Sequence, residues 1–285
     1  AARTFFEQVN TVNPTASYAV APVRLGLAST STTMTLNFTR PVWGLTTSDF
    51  TWPANGASCT LSSVTPSSGP ASTYTLAATC SGAGTSTLRL AANAVKDFAA
   101  VAGPAAALDL SVIRDTTAPT ISAISSNVVG TRVDYTVTFS EGVTGVNSSD
   151  FTMTATGTAS GTIASDTPVN ASTYTVAVNG ISGDGTLRLD LNNAGTGIAD
   201  TAGNVITTGY TSGQLYTFDH TAPTVTSVTS STANGTYKAG DSISIQVSFG
   251  ESVTVTGTPQ LTLETGTTDR IASYLSGTGS NQLTI

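Results

Sequence analysis

Val133, Tyr135, Val137 and Phe139 alternate with Asp134, Thr136 and Thr138. Met34, Leu36 and Phe38 repeat that alternation earlier in the chain, and Ile243, Ile245, Val247 and Phe249 repeat it later. A period of two, with one apolar and one polar face, predicts antiparallel strands packed on one side only. The segments are short, regularly spaced and broken by Gly, Asn, Pro and Ser, which predicts β-sandwiches rather than one continuous sheet. Composition agrees: threonine supplies 55 of 285 residues while Lys and Arg together supply 10. Thr is β-branched and loses side-chain freedom in a helix, so this bias favours strands and turns. A hydrophobic share of 39% suffices for β cores and argues against wholesale disorder.

Internal repetition organises the chain. The segment "TMTLNFTRPVWGLTTSDFT" (33–51) aligns with "RVDYTVTFSEGVTGVNSSDFT" (132–152), with Phe38 on Phe139, Asp49 on Asp150 and Phe50 on Phe151. Further on, "ASTYTLAATCSGAGTSTLRL" (71–90) aligns with "ASTYTVAVNGISGDGTLRL" (171–189), and "KDFAAVAG" (96–103) with "IADTAGN" (198–204). A third copy begins at "TAPTVTSV"; its Phe249 and Glu251 match Phe139 and Glu141, and its closing "SGTGSNQLTI" echoes "SGDGTLRLDL" (182–191). On that alignment the sequence stops roughly 30 residues short of a complete third sandwich of about 100 residues. The expected organisation is an N-terminal segment 1–18 and Ig-like Greek-key sandwiches at 19–116, 117–220 and 221–285, the last lacking its C-terminal strands. "DTTAPT" (115–120) and "DHTAPT" (219–224) fall at the joints. Pro119 and Pro223 fix φ and push Ala118 and Ala222 into extended geometry, predicting short, stiff connections and domains arranged end to end.

"DTTAPT", "VTFSEGVTGVNSSDFT", "GIADTAGN" and "GDSISIQVSFGESVTVTGTPQLTLETG" resemble the bacterial Ig-like repeats of large cell-surface adhesins and secreted surface proteins. The resemblance runs from about residue 20 to the end. It implies an extracellular stalk, often stiffened by calcium, that projects an adhesive tip or builds a surface structure.

Net charge is −7 with a pI near 4.4, and no Lys/Arg cluster occurs, which argues against nucleic acid and anionic membranes as partners. No apolar run approaches the ~18–20 residues of a membrane helix. The chain opens on "AARTFFEQ", with neither an initiator Met nor a signal peptide, as a mature secreted chain or an excised piece would.

Cys59 and Cys80 lie symmetrically about Gly69 and Pro70 in the turn-like "PSSGPAS". A hairpin centred there sets them opposite one another, at about 4.5 Å between Cα atoms for a non-hydrogen-bonded pair, which predicts a cross-strand disulfide. Two buried free thiols are the plain alternative. Glu141 ends a strand, Asp200 and Asn204 sit in "ADTAGN", and Asp219 lies at the next joint. Calcium takes several oxygen ligands of this kind, so loops at one end of the sandwich are expected to gather these residues around it. Ordinary surface carboxylates and Asx-turns account for the same residues without a metal. The first copy counts against a metal: Arg40 stands where Glu141 does, although Asp97 and Asp115 persist.

His220, the single histidine, has Thr116 at the equivalent position, which suits an exposed linker residue and no catalytic base. No G-x-S-x-G elbow or phosphate-cradling glycine loop is present, and no enzyme is expected. Trp43 and Trp52 flank the first "SDF" segment and do not recur in the second copy. One is expected in the core, and an exposed pair would suit surface glycans or a subunit contact. Phe5 and Phe6 precede the first copy and belong to no repeat; they suit a tail strand of an earlier domain or a segment inserting into a neighbour.

The expectation is therefore a non-enzymatic structural or adhesive segment, whose partners are further repeats of the same chain or identical subunits. One alternative is a filament or surface-layer subunit completed by β-strand addition from a neighbour. A carbohydrate-binding accessory module is the other.

Overall fold

The computed structural model describes residues 11–53 and 56–285, and the expectation for Phe5 and Phe6 lies outside them. It is all-β, and among the described residues the helical elements are two single 3-10 turns. The chain divides into two compact units between Thr217 and Phe218, three residues before the boundary read from the repeats. The first unit holds two sandwiches.

The first sandwich contains β1 (Ala16–Tyr18), β2 (Val23–Leu25), β3 (Ser31–Trp43), β4 (Phe50–Thr51), β5 (Ser58–Thr65), β6 (Ala71–Ser81), β7 (Gly84–Leu90), β8 (Val95–Asp97), β9 (Ala102–Gly103) and β10 (Leu108–Arg114). One sheet runs β5-β6-β3-β8-β9 with β1 also on β3, and the other runs β2-β10-β7-β4. The opening segment switches sheets: β1 pairs antiparallel with β3, and β2 runs parallel to β10.

The second sandwich contains β11 (Ile121–Val129), β12 (Arg132–Phe139), β13 (Val143–Thr144), β14 (Phe151–Ala155), β15 (Ser160–Asn170), β16 (Thr173–Ser182), β17 (Gly185–Leu191), β18 (Ala199–Asp200) and β19 (Tyr216–Phe218). Its principal sheets run β11-β12-β16-β15 and β14-β17-β19, the four-plus-three order of a constant-type immunoglobulin domain.

The alternating apolar residues fill both cores. Met34, Leu36 and Phe38 share one core with Leu76, Leu88, Leu90 and Leu110, while Val133, Tyr135 and Val137 lie with Val176, Leu189 and Ile198 in the other. The repeated "SDF" has a physical basis. Asp49 and Asp150 each accept the backbone N–H three residues earlier, from Thr46 and Asn147, at 2.7 Å. Those caps close the 3-10 turns and deliver Phe50 and Phe151, both buried, into the next strand. The shared "STY" has one too. The Tyr74 hydroxyl donates to the Val42 carbonyl at 2.8 Å, and the Tyr174 hydroxyl to that of Val143 at 3.1 Å. Each ring meets a phenylalanine edge-on, Phe38 or Phe139, at 5.9 Å. In the second core Tyr135 is fully buried and donates to Leu187; burial first, then the charge of Asp190, pushes its hydroxyl up to about 12.

Cys59 pairs with Cys80 across β5 and β6 and forms a disulfide, with Cα atoms 4.1 Å apart.

The second unit contains β20 (Val225–Ser230), β21 (Ile245–Val253), β22 (Gln260–Leu263), β23 (Arg270–Ser273) and β24 (Ser280–Thr284). Its sheets are β20-β21-β24 and the hairpin β22-β23. The register corrects the sequence alignment. Val247 faces Leu283 as Val137 faces Tyr174, so residues 280–285 correspond to 171–176 and not to the strand 185–191. The Ser-Gly-x-Gly turn recurs along this chain and does not distinguish one strand from the next; cross-strand pairing does. Val247 and Leu283 are the buried apolar side chains of this unit.

Candidate functional site at the joint between the first two repeats

Residues 115–120 leave β10 and enter β11 under close restraint. The Asp115 N–H donates to the Leu25 carbonyl at 2.8 Å, and its Oδ1 accepts the Thr117 N–H at 3.0 Å. Thr120 and Ser140 bond each other twice, through the Thr120 N–H to Ser140 Oγ and the Ser140 N–H to the Thr120 carbonyl. Asp219 makes the same Asx contact to Thr221 at 2.8 Å, which explains why an Asp precedes both "TAPT" segments.

The turn after β18 closes on this joint. Asp200 Oδ1 accepts the Ala202 and Asn204 N–H groups at 2.7 and 2.9 Å, winding residues 200–204 into a compact loop. Asn204, buried, spends its side chain on three partners outside the turn. Its Oδ1 accepts the Leu27 N–H of the first sandwich, and its Nδ2 lies 3.1 and 3.3 Å from the carbonyls of Asp115 and Thr117. Nδ2 also reaches Asp200 Oδ2 at 2.8 Å. Gly26 makes the approach possible: a Cβ there would lie 2.6 Å from the Ala202 carbonyl oxygen. Asn204 is thus a clip between sandwiches, and its Oδ1 faces an N–H group. Sequence reasoning had placed it as a metal ligand.

Beside the clip, one carboxylate oxygen each from Asp115, Glu141 and Asp200 lies within 4.8 Å of the others. Glu141 and Asp200 come together as the spacing predicts. Their third companion is Asp115 of the preceding joint, whereas Asp219 belongs to the second unit. Burial, and then the charges of Asp115 and Asp200, hold the Glu141 carboxyl above its ordinary value. Three carboxylates in one place offer the hard oxygen donors that calcium takes, and a dication relieves the repulsion that raises Glu141.

The first repeat supplies an internal comparison. Val42 pairs with Asp97 as Val143 pairs with Asp200, and Asp97 Oδ1 likewise accepts two N–H groups of its turn, from Ala99 and Val101. At the Glu141 position stands Arg40, whose guanidinium lies 3.2 Å from Asp97. One repeat therefore carries a cationic side chain where the other carries a third carboxylate.

The remaining candidates are scattered. Trp52 packs against the first core, while Trp43 is 43% exposed and meets Phe98, itself 75% exposed, edge to face at 5.4 Å. Phe98 was not singled out from sequence: it follows Asp97 in the turn after β8, and the ring contact with Trp43 is what places it. His220 is exposed, with its ring 5.5 Å from that of Phe218.

No family model matches the chain, and no curated protein matches it. Among solved structures it is similar to FdeC, an Escherichia coli adhesin, at 15% identity and a TM-score of 0.43, over 96% of this chain and 88% of that one. It is also similar to domains 5–6 of the S-layer protein SbsC, at 16% identity and a TM-score of 0.25, over 65% of this chain and 96% of that one. A longer piece of SbsC, domains 4–9, matches at 16% identity and a TM-score of 0.26, over 78% of this chain and 34% of that one.

Proposed function

We propose that this chain is a non-enzymatic structural or adhesive segment of a secreted bacterial cell-surface protein, a stalk of Ig-like sandwiches whose joint is stiffened by calcium. The observation that supports it most is the clip. A buried asparagine of one sandwich bonds the loop of the previous sandwich and the joint between them, with three carboxylates alongside. Asp115, Glu141 and Asp200 would hold the ion, which supplies charge neutralisation. Asn204 and the Asp200 turn keep the two sandwiches docked. A stalk transmits force or holds a tip at a distance, so rigidity at joints is the property such a chain needs. The Cys59–Cys80 disulfide supports an oxidising, extracellular setting.

A second reading, assembly of identical subunits by strand addition, is favoured by Val225, Val228, Ile271 and Leu275, all more than half exposed in the second unit.

Solution scattering of the full chain, with calcium and then with chelator, tests both. The stalk reading expects a monomer at every concentration whose scattering indicates greater bending once the ion is removed. The variant Glu141→Arg, which copies the first repeat, should be indifferent to the chelator. Scattering of the unmodified chain that ignores chelation would overturn the calcium assignment, and mass that grows with concentration would favour assembly.

A further inference from the structure

The first repeat carries an aromatic feature that its fold does not need. Strand register pairs Val42 with Asp97 and Trp43 with Lys96, so Val42 and Asp97 point inward and are buried. Trp43 and Phe98 lie on the outer face, edge to face, at an interplanar angle of 77°. The second repeat builds the same small ladder, Val143 with Asp200 and Thr144 with Ala199, and places Thr144 and Thr201 at the two aromatic positions. Packing therefore does not call for Trp43 or Phe98, and large exposed apolar side chains beside one another mark an interaction site.

What surrounds Trp43 narrows the ligand. Trp43 lines a cleft of about 190 Å³, between the 44–46 loop and the 66–69 turn of the β5–β6 hairpin. Thr46, Ser67, Ser68 and Tyr74 line it, and among the described residues none of the lining is charged. Ser67 and Ser68 are exposed at the tip of the turn. This volume is below the ~300–1,000 Å³ of sites for drug-sized ligands and suits a single ring. An indole offers apolar area, and hydroxyl groups beside it offer directional hydrogen bonds. A pyranose presents that same combination, an apolar C–H face ringed by hydroxyls, and the described lining offers hydroxyls and no charged partner for an acidic sugar's carboxylate.

We propose that the cleft beside Trp43 is a binding site for a neutral sugar unit of a surface glycan. The indole stacks on the pyranose face, Phe98 holds the indole in orientation, and Ser67 and Ser68 engage the sugar hydroxyls. The site lies wholly within the first repeat and does not rest on the joint reading, so chelation should leave it unchanged.

Saturation-transfer NMR on the full chain, with the methyl glycosides of glucose, galactose and N-acetylglucosamine and with sialyllactose as the charged comparison, tests it. A neutral glycoside should bind, with transfer strongest to the protons of one ring face. Trp43→Ala should weaken binding at least tenfold, Phe98→Ala several-fold, and Trp43→Phe less than Trp43→Ala. Both residues are exposed, so the melting temperatures should match the unmodified chain, and a matched melting curve separates lost binding from lost folding. Absence of binding by every neutral glycoside, preference for sialyllactose, or binding that survives Trp43→Ala would overturn the assignment.

Discussion

Asn204→Val places in the second repeat the residue that the first repeat has at the same turn position, Val101. The turn should survive, because Asp200 still accepts the backbone N–H groups of residues 202 and 204. What disappears is the clip: the bond from the Leu27 N–H, and the Nδ2 hydrogen that the Asp115 and Thr117 carbonyls share while the other goes to Asp200 Oδ2. Neutral bonds of this kind contribute a net ~0.5–1.5 kcal/mol each, and the contact to Thr117 is long, so the docked arrangement should lose about 2–3 kcal/mol. That corresponds to roughly 30- to 150-fold in the equilibrium between docked and undocked sandwiches. The amide of Leu27 reads this directly, because its acceptor is the side chain being removed. Native-state hydrogen exchange of the full chain in chelator should show that amide exchanging faster by about the same factor, while amides of the β3–β6 ladder stay protected. If Leu27 exchange changes by less than threefold, Asn204 does not couple the sandwiches and the clip is only a contact.

Glu141→Gln tests the carboxylate cluster through pH. The folded value of Glu141 lies above its ordinary one, so its contribution to stability is complete below the ordinary carboxylate range and is lost as pH rises through the raised value. Ion-free protein should therefore melt higher on acidification from neutrality toward the ordinary carboxylate range, and Glu141→Gln should flatten that slope and raise the neutral melting temperature. Reducing the Cys59–Cys80 bridge, or replacing both cysteines by alanine, should cost the first sandwich about 3 kcal/mol for a loop of this length, leaving the second sandwich's transition in place; calorimetry separates the two. Tyr74→Phe and Tyr174→Phe should each cost about 1 kcal/mol in chemical denaturation, because each removes one buried hydroxyl bond and leaves the ring contact. A tyrosine whose loss is neutral would show that its hydroxyl does not anchor the strand.

Much of this architecture is local, and that part was legible. Alternation assigns a side chain to one sheet face or the other because successive Cβ atoms point oppositely, so Met34, Leu36 and Phe38 declare their burial without help from the rest of the chain. The symmetry of Cys59 and Cys80 about one turn sets their pairing, because hairpin register follows from the turn. Duplication set the expected boundaries between sandwiches. Contacts made across that boundary were not legible. Asp115 joins Glu141 and Asp200, and Asn204 bonds Leu27, only because the end loops of two sandwiches meet, and no periodicity encodes that meeting. The strand at 280–284 was misaligned for a related reason: its turn sequence recurs, and only its ladder with β21 shows that Leu283 holds the place of Tyr174. Sequence by itself indicated the alternating strands of the first two sandwiches, their inward faces and the hairpin that sets the disulfide, since each follows from neighbours a few residues away or across one hairpin. Tertiary structure alone decided which acids share a site and which asparagine holds two domains together, because those distances depend on how finished sandwiches dock.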